Sequence, residues 1–193
     1  PEPKKLVALT FLAGGLGAVV AIVAEYIVNE KLIDFNIAPL SIFGIATFAL
    51  IEEVTKFGAA YFAVHKNPAF NEPIDAMIYM VAASLGFATL ENLGVVNTGL
   101  SQSALIHEIF QITSLRFVGA TLLHTLTAGI IGYYWAIAIR DFGETKFIVY
   151  GIAFATLLHT LFNYLIIKVP YQNLAFSTIL LLVIGFFVLN DFE

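Results

Sequence analysis

Residues 6–28 read LVALTFLAGGLGAVVAIVAEYIV, a run that is apolar almost throughout. A helix that crosses a bilayer needs roughly 20 such residues. Because lipid offers the backbone no hydrogen-bond partners, so long and even an apolar run predicts a helix rather than a barrel strand. The charged opening Pro1–Lys5 resembles the start of a signal peptide, but no convincing cleavage site follows. We therefore expect residues 6–28 to form a retained first transmembrane helix.

Similar apolar runs recur along the whole chain and are separated only by short polar breaks such as Asn67-Pro68 and Glu72-Pro73. About six segments are long enough to cross a membrane: 6–28, 37–64, 74–97, 114–139, 146–168 and 173–190. The mixed segment 98–113 is predicted to be an interfacial helix lying on the bilayer. The fold class is thus all-α, a polytopic transmembrane helix bundle that forms a single domain over residues 1–193.

The composition excludes several classes of protein. Hydrophobic residues make up 60% of the chain, charged residues only 12%, and the mean hydropathy is +0.90, which does not fit a soluble domain. Cysteine is absent, so disulfides, zinc–thiolate sites and cysteine nucleophiles are excluded. The nine basic residues form no run, so nucleic acid is not an expected partner. The partner that the composition does predict is membrane lipid.

The basic residues also predict an orientation, since Lys and Arg favour cytoplasmic loops. One side of the predicted bundle carries Lys4, Lys5, Lys66, Arg140 and Lys146, whereas the other carries Lys31 and Lys168. Both termini should then be cytoplasmic, in the cytoplasmic membrane of a prokaryote.

Ionisable residues inside the predicted spans are the most informative feature of the sequence. Each costs free energy at bilayer depth unless it is paired, neutral or next to a polar cavity, and so each marks a candidate functional site. The polar residues singled out within or at the ends of spans two to five are Glu52, Glu53, Lys56, Glu91, Asn92, Arg116, His124, His159 and Asn163. With a rise of about 1.5 Å per residue, Glu52, His124 and His159 lie roughly 20 Å from the cytoplasmic ends of their helices, and Glu91 about 25 Å. This common depth predicts a single polar cavity.

A less specific interpretation is that these residues are pairs that only hold the bundle together, such as Glu91 with Arg116 or Glu53 with Lys56. Lys56 lies three residues after Glu53 and four after Glu52, so its ammonium group can reach either carboxylate. Other polar or small residues have simpler expected roles. His65 and His107 should be ordinary interfacial histidines, Asp75 a helix cap, and Gly14-Gly15-x-Gly17 a close helix contact rather than a nucleotide loop.

Carboxylates and histidines without a cysteine or an obvious nucleophilic serine favour hydrolysis by activated water. In one version, His124, His159 and a carboxylate such as Glu53 or Glu91 bind Zn²⁺ and leave an open position for water. In the other, Glu52 or Glu53 is a general base, and His159 with Asn163 donates hydrogen bonds to the oxyanion. The residues alone leave both versions open.

Four sequence blocks carry a resemblance to a known family. They are Glu52-Glu53-x-x-Lys56, Phe70 to Asp75 continuing to Glu91-Asn92, Arg116 to His124, and His159-x-x-x-Asn163. In this order, on separate helices and within residues 48–165, they resemble the PrsW family of membrane proteases, which is related to the CAAX-endopeptidase and bacteriocin-processing peptidases. The second block has Glu91-Asn92 where that wider group has histidine, which favours PrsW.

The resemblance implies a peptidase that acts on membrane-anchored proteins, with anti-sigma-factor cleavage as one family role. It points to Glu52, Glu53, Glu91, His124 and His159 as catalytic candidates, supported by Lys56, Asn92, Arg116 and Asn163. Two other classes of function remain open at this point. The same glutamates and histidines would suit a proton relay in a small transporter or channel, and the chain could also be a catalytically idle membrane scaffold.

Overall fold

The computed structural model describes the backbone of residues 2–101, 106–141 and 143–168, with all side chains in these ranges except those of 95, 96, 98–101 and 106–118. This part of the chain contains five helices and no strand. The helices are α1 (Lys4–Asp34), α2 (Ile42–Val64), α3 (Pro73–Ser101), α4 (Ile106–Arg140) and α5 (Thr145–Lys168). The all-α fold expected from the sequence is therefore confirmed.

Four helical segments are long and apolar enough to cross a membrane: Lys4–Asp34, Pro73–Gly94, Gly119–Arg140 and Thr145–Lys168. The chain is accordingly an integral membrane protein. Although α2 has 23 residues, it carries Glu52, Glu53 and Lys56 within them and is not one of the four. The expected sixth span, residues 173–190, lies outside the described residues. The structure therefore does not confirm the expected number of about six spans.

The end of the first helix and the start of the second differ from the sequence-based expectation. The first helix continues six residues beyond the predicted end at Val28, because the polar residues that follow are compatible with a helix. It ends at Asp34, where Asn36 adopts a left-handed φ of 57° and the amides of Asn36 and Ile37 donate to the carbonyls of Ile33 and Leu32. The second helix begins at Ile42 rather than at residue 37, because the Ser41 hydroxyl caps it by accepting from the Gly44 amide at 3.2 Å.

The expected interfacial helix over residues 98–113 is wrong for the part of this segment that the structure describes. Residues 98–101 complete α3, and residues 106–113 open α4. The described parts of the segment therefore extend two long helices rather than forming a separate one.

The bundle is centred on α3, which packs against α1 and α4. On the other side, α5 packs against α4 and α2, and α1 covers α2. The contact between α1 and α3 is very close. A Cβ atom on Gly14 would lie 1.8 Å from the carbonyl oxygen of Ala83, and one on Gly86 would lie 1.8 Å from that of Phe11. This confirms that the glycines of α1 serve helix packing.

Candidate active site

The charged residues of α2 point into the bundle. Lys56 and Glu53 are fully buried, and the Lys56 ammonium donates to Oε1 of Glu53 over 2.7 Å. Of the two carboxylates within its reach, Lys56 thus pairs with the one three residues away. A buried ion pair is costly to desolvate unless further hydrogen bonds satisfy both groups. The ends of this pair should therefore have additional partners.

Those partners are the two histidines of α4 and α5. The Lys56 ammonium also donates to Nδ1 of His124 over 2.9 Å, and Nδ1 of His159 lies 2.7 Å from the same Glu53 oxygen. Both rings are buried, with centroids 5.3 Å apart. The result is a continuous buried series of hydrogen bonds from His124 through Lys56 and Glu53 to His159, which joins α2, α4 and α5.

These hydrogen bonds determine which nitrogen of each ring carries the proton and which has its lone pair available. An ammonium group can only donate, so Nδ1 of His124 accepts and a neutral ring carries its proton on Nε2. Glu53 accepts from Nδ1 of His159, which leaves the lone pair on Nε2 of that ring. His159 thereby has the arrangement usual for a metal-binding histidine, whose other nitrogen donates to a carboxylate. To bind a metal through Nε2 as a neutral ring, His124 would lose the Nε2 proton and take a proton at Nδ1 from the Lys56 ammonium.

Two further carboxylates lie on the other side of the rings. Oε2 of Glu91 is 2.7 Å from Nε2 of His124, and Oε2 of Glu52 is 3.7 Å from Nε2 of His159. The Glu91 side chain is one-third exposed, whereas that of Glu52 is mostly buried. The five residues suggested as catalytic, Glu52, Glu53, Glu91, His124 and His159, thus form one cluster, as the common depth predicted.

Within the described residues, one group could hold a metal ion: Glu52, His124 and His159, whose ligand atoms all lie within 4.8 Å of one another. Oε2 of Glu52 is buried and has no hydrogen-bond partner in the described part of the chain. A carboxylate oxygen and two imidazoles suit a divalent transition metal. The sequence had suggested Glu53 and Glu91 for this role. In the structure, Glu52 joins the histidines in this group. Metal binding by Glu53 or Glu91 stays a prediction.

The supporting residues are less closely tied to the cluster. Asn92 is buried and donates to Thr121 over 3.3 Å, which links α3 to α4. Asn163 lies one turn after His159 on α5, and no side-chain hydrogen bond of Asn163 is found in the described part of the chain. The Arg116 side chain is outside the described residues, so neither its expected role nor its pairing with Glu91 is tested.

Of the residues expected to be peripheral, Asp75 has the predicted role of a helix cap, whereas the interfacial position of His65 stays a prediction. Asp75 caps α3 by accepting from the amides of Asn71 and Glu72, both at 2.9 Å. His65 lies just beyond the end of α2, where its ring stacks on that of Tyr61 with the two centroids 4.6 Å apart. The Glu53–Lys56 pair does form, but both of its members also contact histidines on other helices. Intrahelical pairing alone therefore does not account for the cluster.

Sequence reasoning missed Glu25. A cavity of about 60 Å³ adjoins the cluster and is lined by Ala18, Ala21, Ile22, Glu25, Glu52, Phe87 and Glu91. Glu25 is the one acidic residue within the first apolar run, at helical spacings of four and seven residues from Ala21 and Ala18. Two small residues and one acid on the same helix face are a signal that could have identified Glu25 as a candidate site residue.

Comparison with known proteins identifies the family of the chain. The model of the family described as "PrsW family intramembrane metalloprotease" matches residues 2–189. "Protease PrsW" of Geobacillus kaustophilus is 30% identical over 148 residues, which cover 77% of this chain and 57% of that protein. The same-named protein of Oceanobacillus iheyensis is 25% identical over 166 residues, 86% of this chain and 72% of that protein.

"Protease PrsW" of Bacillus subtilis is 24% identical over 169 residues, covering 86% of this chain and 71% of that protein. The chain thus spans little more than half of the Geobacillus protein. No solved structure matches it. With nearly all of its residues matched by the family model, the chain belongs to the PrsW family of intramembrane metalloproteases.

Proposed function

We propose that this protein is a membrane-embedded peptidase that hydrolyses a peptide bond of membrane-anchored protein substrates. The observation that carries the proposal is the convergence of Glu52, His124 and His159, whose ligand atoms lie within 4.8 Å of one another inside a helix bundle. Family membership supports hydrolysis rather than the transporter alternative, since the family is described as one of metalloproteases.

The residues present fit a divalent metal, with Zn²⁺ as our specific proposal. Glu52 contributes a buried oxygen without a hydrogen-bond partner among the described residues, and His159 has its Nδ1 bound to a carboxylate. Such an ion supplies Lewis acidity, which polarises a peptide carbonyl and makes water nucleophilic at neutral pH. Glu52, His124 and His159 would hold it.

In this proposal Glu53 and Lys56 orient the two rings and do not touch the substrate. Both side chains are fully buried, and each makes a hydrogen bond to one Nδ1. The buried position of Glu53 argues against its acting as the general base, because a base must reach the water that it deprotonates. The pair instead keeps both Nε2 atoms turned toward the cavity side of the cluster.

We assign the proton transfer to Glu91, which lines the cavity and is partly exposed. Its carboxylate would take a proton from the attacking water while the water oxygen bonds to the peptide carbon. When the carbon–nitrogen bond breaks, Glu91 would return that proton to the leaving amine. A metal-independent version with Glu52 as the base remains the second mechanism to test.

The substrates and the orientation belong to the same proposal. Membrane-anchored proteins are the substrate class, with anti-sigma factors as the role that the family resemblance implies. The basic residues favour a cytoplasmic-membrane protein with both termini in the cytoplasm. Because the chain has no cysteine, single cysteines introduced at Asn67 and Asp34 would report the two sides by accessibility to a membrane-impermeant thiol reagent.

The main test combines metal analysis of the purified protein with cleavage of a membrane-anchored reporter. We expect about one divalent ion per chain, loss of cleavage on chelation, and restoration by Zn²⁺. Glu52→Ala and His159→Ala should lose both the metal and the activity, whereas Glu30→Ala, an exposed acid on α1, should lose neither. Cleavage that survives chelation but not Glu52→Ala would support the metal-independent version, and cleavage that survives all these changes would refute both.

A further inference from the structure

Glu25 lies where an ionisable residue is least expected, in the apolar first helix. The residues around it on α1 are largely exposed aliphatic side chains that suit lipid, such as Val19, Val20 and Val23. Glu25 is instead partly buried and faces the cavity beside Glu52 and Glu91. A carboxyl group inside a membrane helix is costly and is usually retained for a function.

The three acids of this cavity differ in their surroundings. Glu91 is hydrogen-bonded to His124, and Glu52 lies next to His159 in the group that could hold a metal. Among the hydrogen bonds and ion pairs of the described residues, none involves Glu25. Within the described residues, Glu25 is therefore the acid of this cavity that has neither a hydrogen bond nor an ion pair.

The chemistry of the cavity wall indicates what Glu25 would bind. Apart from the three glutamates, the lining consists of the apolar residues Ala18, Ala21, Ile22 and Phe87. The wall thus offers carboxyl oxygens as acceptors, and its complement is a ligand that donates hydrogen bonds while burying apolar surface. A peptide segment unwound from a transmembrane helix fits this description, because its backbone N–H groups have lost their helical acceptors and find no water in the bilayer.

The position of Glu25 is fixed by the packing of α1. The glycine contact near Gly14 and Gly86 holds α1 against α3 with no space for a single added methyl group. Glu25 lies three turns further along the same helix, and the cavity occupies the space between it and α2 and α3. An acceptor on a closely packed helix at the edge of the cluster suits the role of aligning a bound peptide segment.

We propose that Glu25 is a substrate-binding residue, whose carboxyl group accepts a hydrogen bond from a backbone N–H of the unwound segment next to the scissile bond. This inference rests on the proposed peptidase function. It adds α1 to the helices that form the proposed active site and gives the substrate a contact that does not involve the reacting atoms. Loss of that contact should weaken binding far more than it slows the chemical step.

The test uses the full chain reconstituted in vesicles and a single-span peptide rich in alanine and leucine, with a central glycine pair and a fluorophore. Binding is measured by energy transfer in the inactive His159→Ala background, and cleavage is measured with an otherwise unaltered chain. Adding Glu25→Ala should raise the Kd about ten-fold, since a hydrogen bond in a largely apolar cavity is lost. In the active chain it should raise KM by a similar factor and change kcat less than two-fold.

Three controls make the result decisive. Glu25→Gln preserves the shape and one acceptor oxygen of the side chain, so its effect should be smaller. Glu30→Ala removes an exposed acid from the same helix and should change nothing. Metal content should remain that of the parent chain in every Glu25 variant.

Unchanged peptide affinity in Glu25→Ala would overturn the inference, as would a fall in kcat without a change in KM. A loss of bound metal would also overturn it, since Glu25 would then belong to a cation site. The proposed function fails separately, if the parent chain and His159→Ala treat the peptide alike in the cleavage assay. The binding assay still tests Glu25 in that case because it requires no cleavage.

Discussion

Two regions of this bundle hold helices together by opposite means. Where α1 crosses α3, Gly14 and Gly86 let the backbones approach so closely that an added Cβ would collide with a carbonyl oxygen. Where α2 meets α4 and α5, the contact is made by a buried lysine, a buried glutamate and two histidines. The first contact is typical of membrane helices and needs no polar side chain. The second requires the desolvation of charged groups, which stability alone does not explain.

The contrast suggests a division of labour. The glycine contact positions α1, and the polar contact orients the groups that we propose to be catalytic. Substitutions at the glycine contact should therefore affect folding first, whereas those at the polar contact should separate stability from activity. The following predictions test this division, beginning with the largest expected effect.

Removing one member of the buried ion pair should be the most damaging change. Lys56→Ala leaves the Glu53 carboxylate buried beside His159 without its cation, and we expect a loss of about 3–5 kcal/mol in the free energy of unfolding. Detergent-driven unfolding of the purified protein measures this loss. Lys146→Ala, which removes an exposed lysine, is the matched control. A loss below about 1 kcal/mol would mean that the pair is not buried as described.

Replacing both members together should separate stability from function. In Glu53→Leu/Lys56→Met no charge is left unpaired, and buried ion pairs replaced by apolar residues often cost little or no stability. The histidines nevertheless lose the groups that orient them, so metal affinity should fall about 10–100-fold. Competition with a chelator of known affinity measures this fall. Unaltered metal affinity would show that the Glu53–Lys56 pair does not position the site.

The glycine contact should respond to a single methyl group. Gly14→Ala places a Cβ against the carbonyl oxygen of Ala83, whereas Gly129→Ala meets nothing within 4 Å. We expect the first change to destabilise the bundle by about 1–3 kcal/mol because the helices must move apart. The second should be neutral or stabilise it by up to about 1 kcal/mol, because alanine favours helix. Equal effects at both positions would contradict the close α1–α3 contact.

The weakest expected effect concerns Asn92, which the family resemblance had placed among the supporting residues. Its hydrogen bond to Thr121 joins α3 to α4 without touching the histidines. Asn92→Ala should therefore cost about 1 kcal/mol of stability and leave kcat unchanged within a few-fold. Thr121→Val should have the same effect, and the double variant should cost less than the sum. A large loss of kcat in a stable Asn92→Ala protein would restore Asn92 to the active site.

The sequence predicted the fold best where local chemistry is decisive. Pro73 opens α3 and the break around Gly143 precedes α5, so those two helices begin within one residue of their expected positions. The end of α1 was placed too early, because Asn29, Glu30 and Lys31 are compatible with either helix or loop. Only the backbone geometry at Asn36 determines where this helix stops.

The site shows a similar limit. Counting residues along the helices predicted that Glu52, Glu91, His124 and His159 would lie at one depth, and they do meet. Counting could not determine the rotation of α2 about its axis. Adjacent residues on a helix point about 100° apart. The packing of α2 against α4 and α5 therefore decides that Glu53 is fully buried and pairs with Lys56, whereas Glu52 lies in the group with the two histidines that could hold a metal. Glu25 was missed because its helix was interpreted only as a lipid-facing span.

The central claim is that Glu52, His124 and His159 hold the metal while Glu53 and Lys56 orient the rings. X-ray absorption spectroscopy at the metal edge of the zinc-loaded protein tests it most directly. The account predicts two imidazole nitrogens at about 2.0–2.1 Å with oxygen completing the coordination, and a weakened imidazole signal in His159→Ala. A spectrum without imidazole, or one that His159→Ala and Glu52→Ala leave unchanged, would contradict the account.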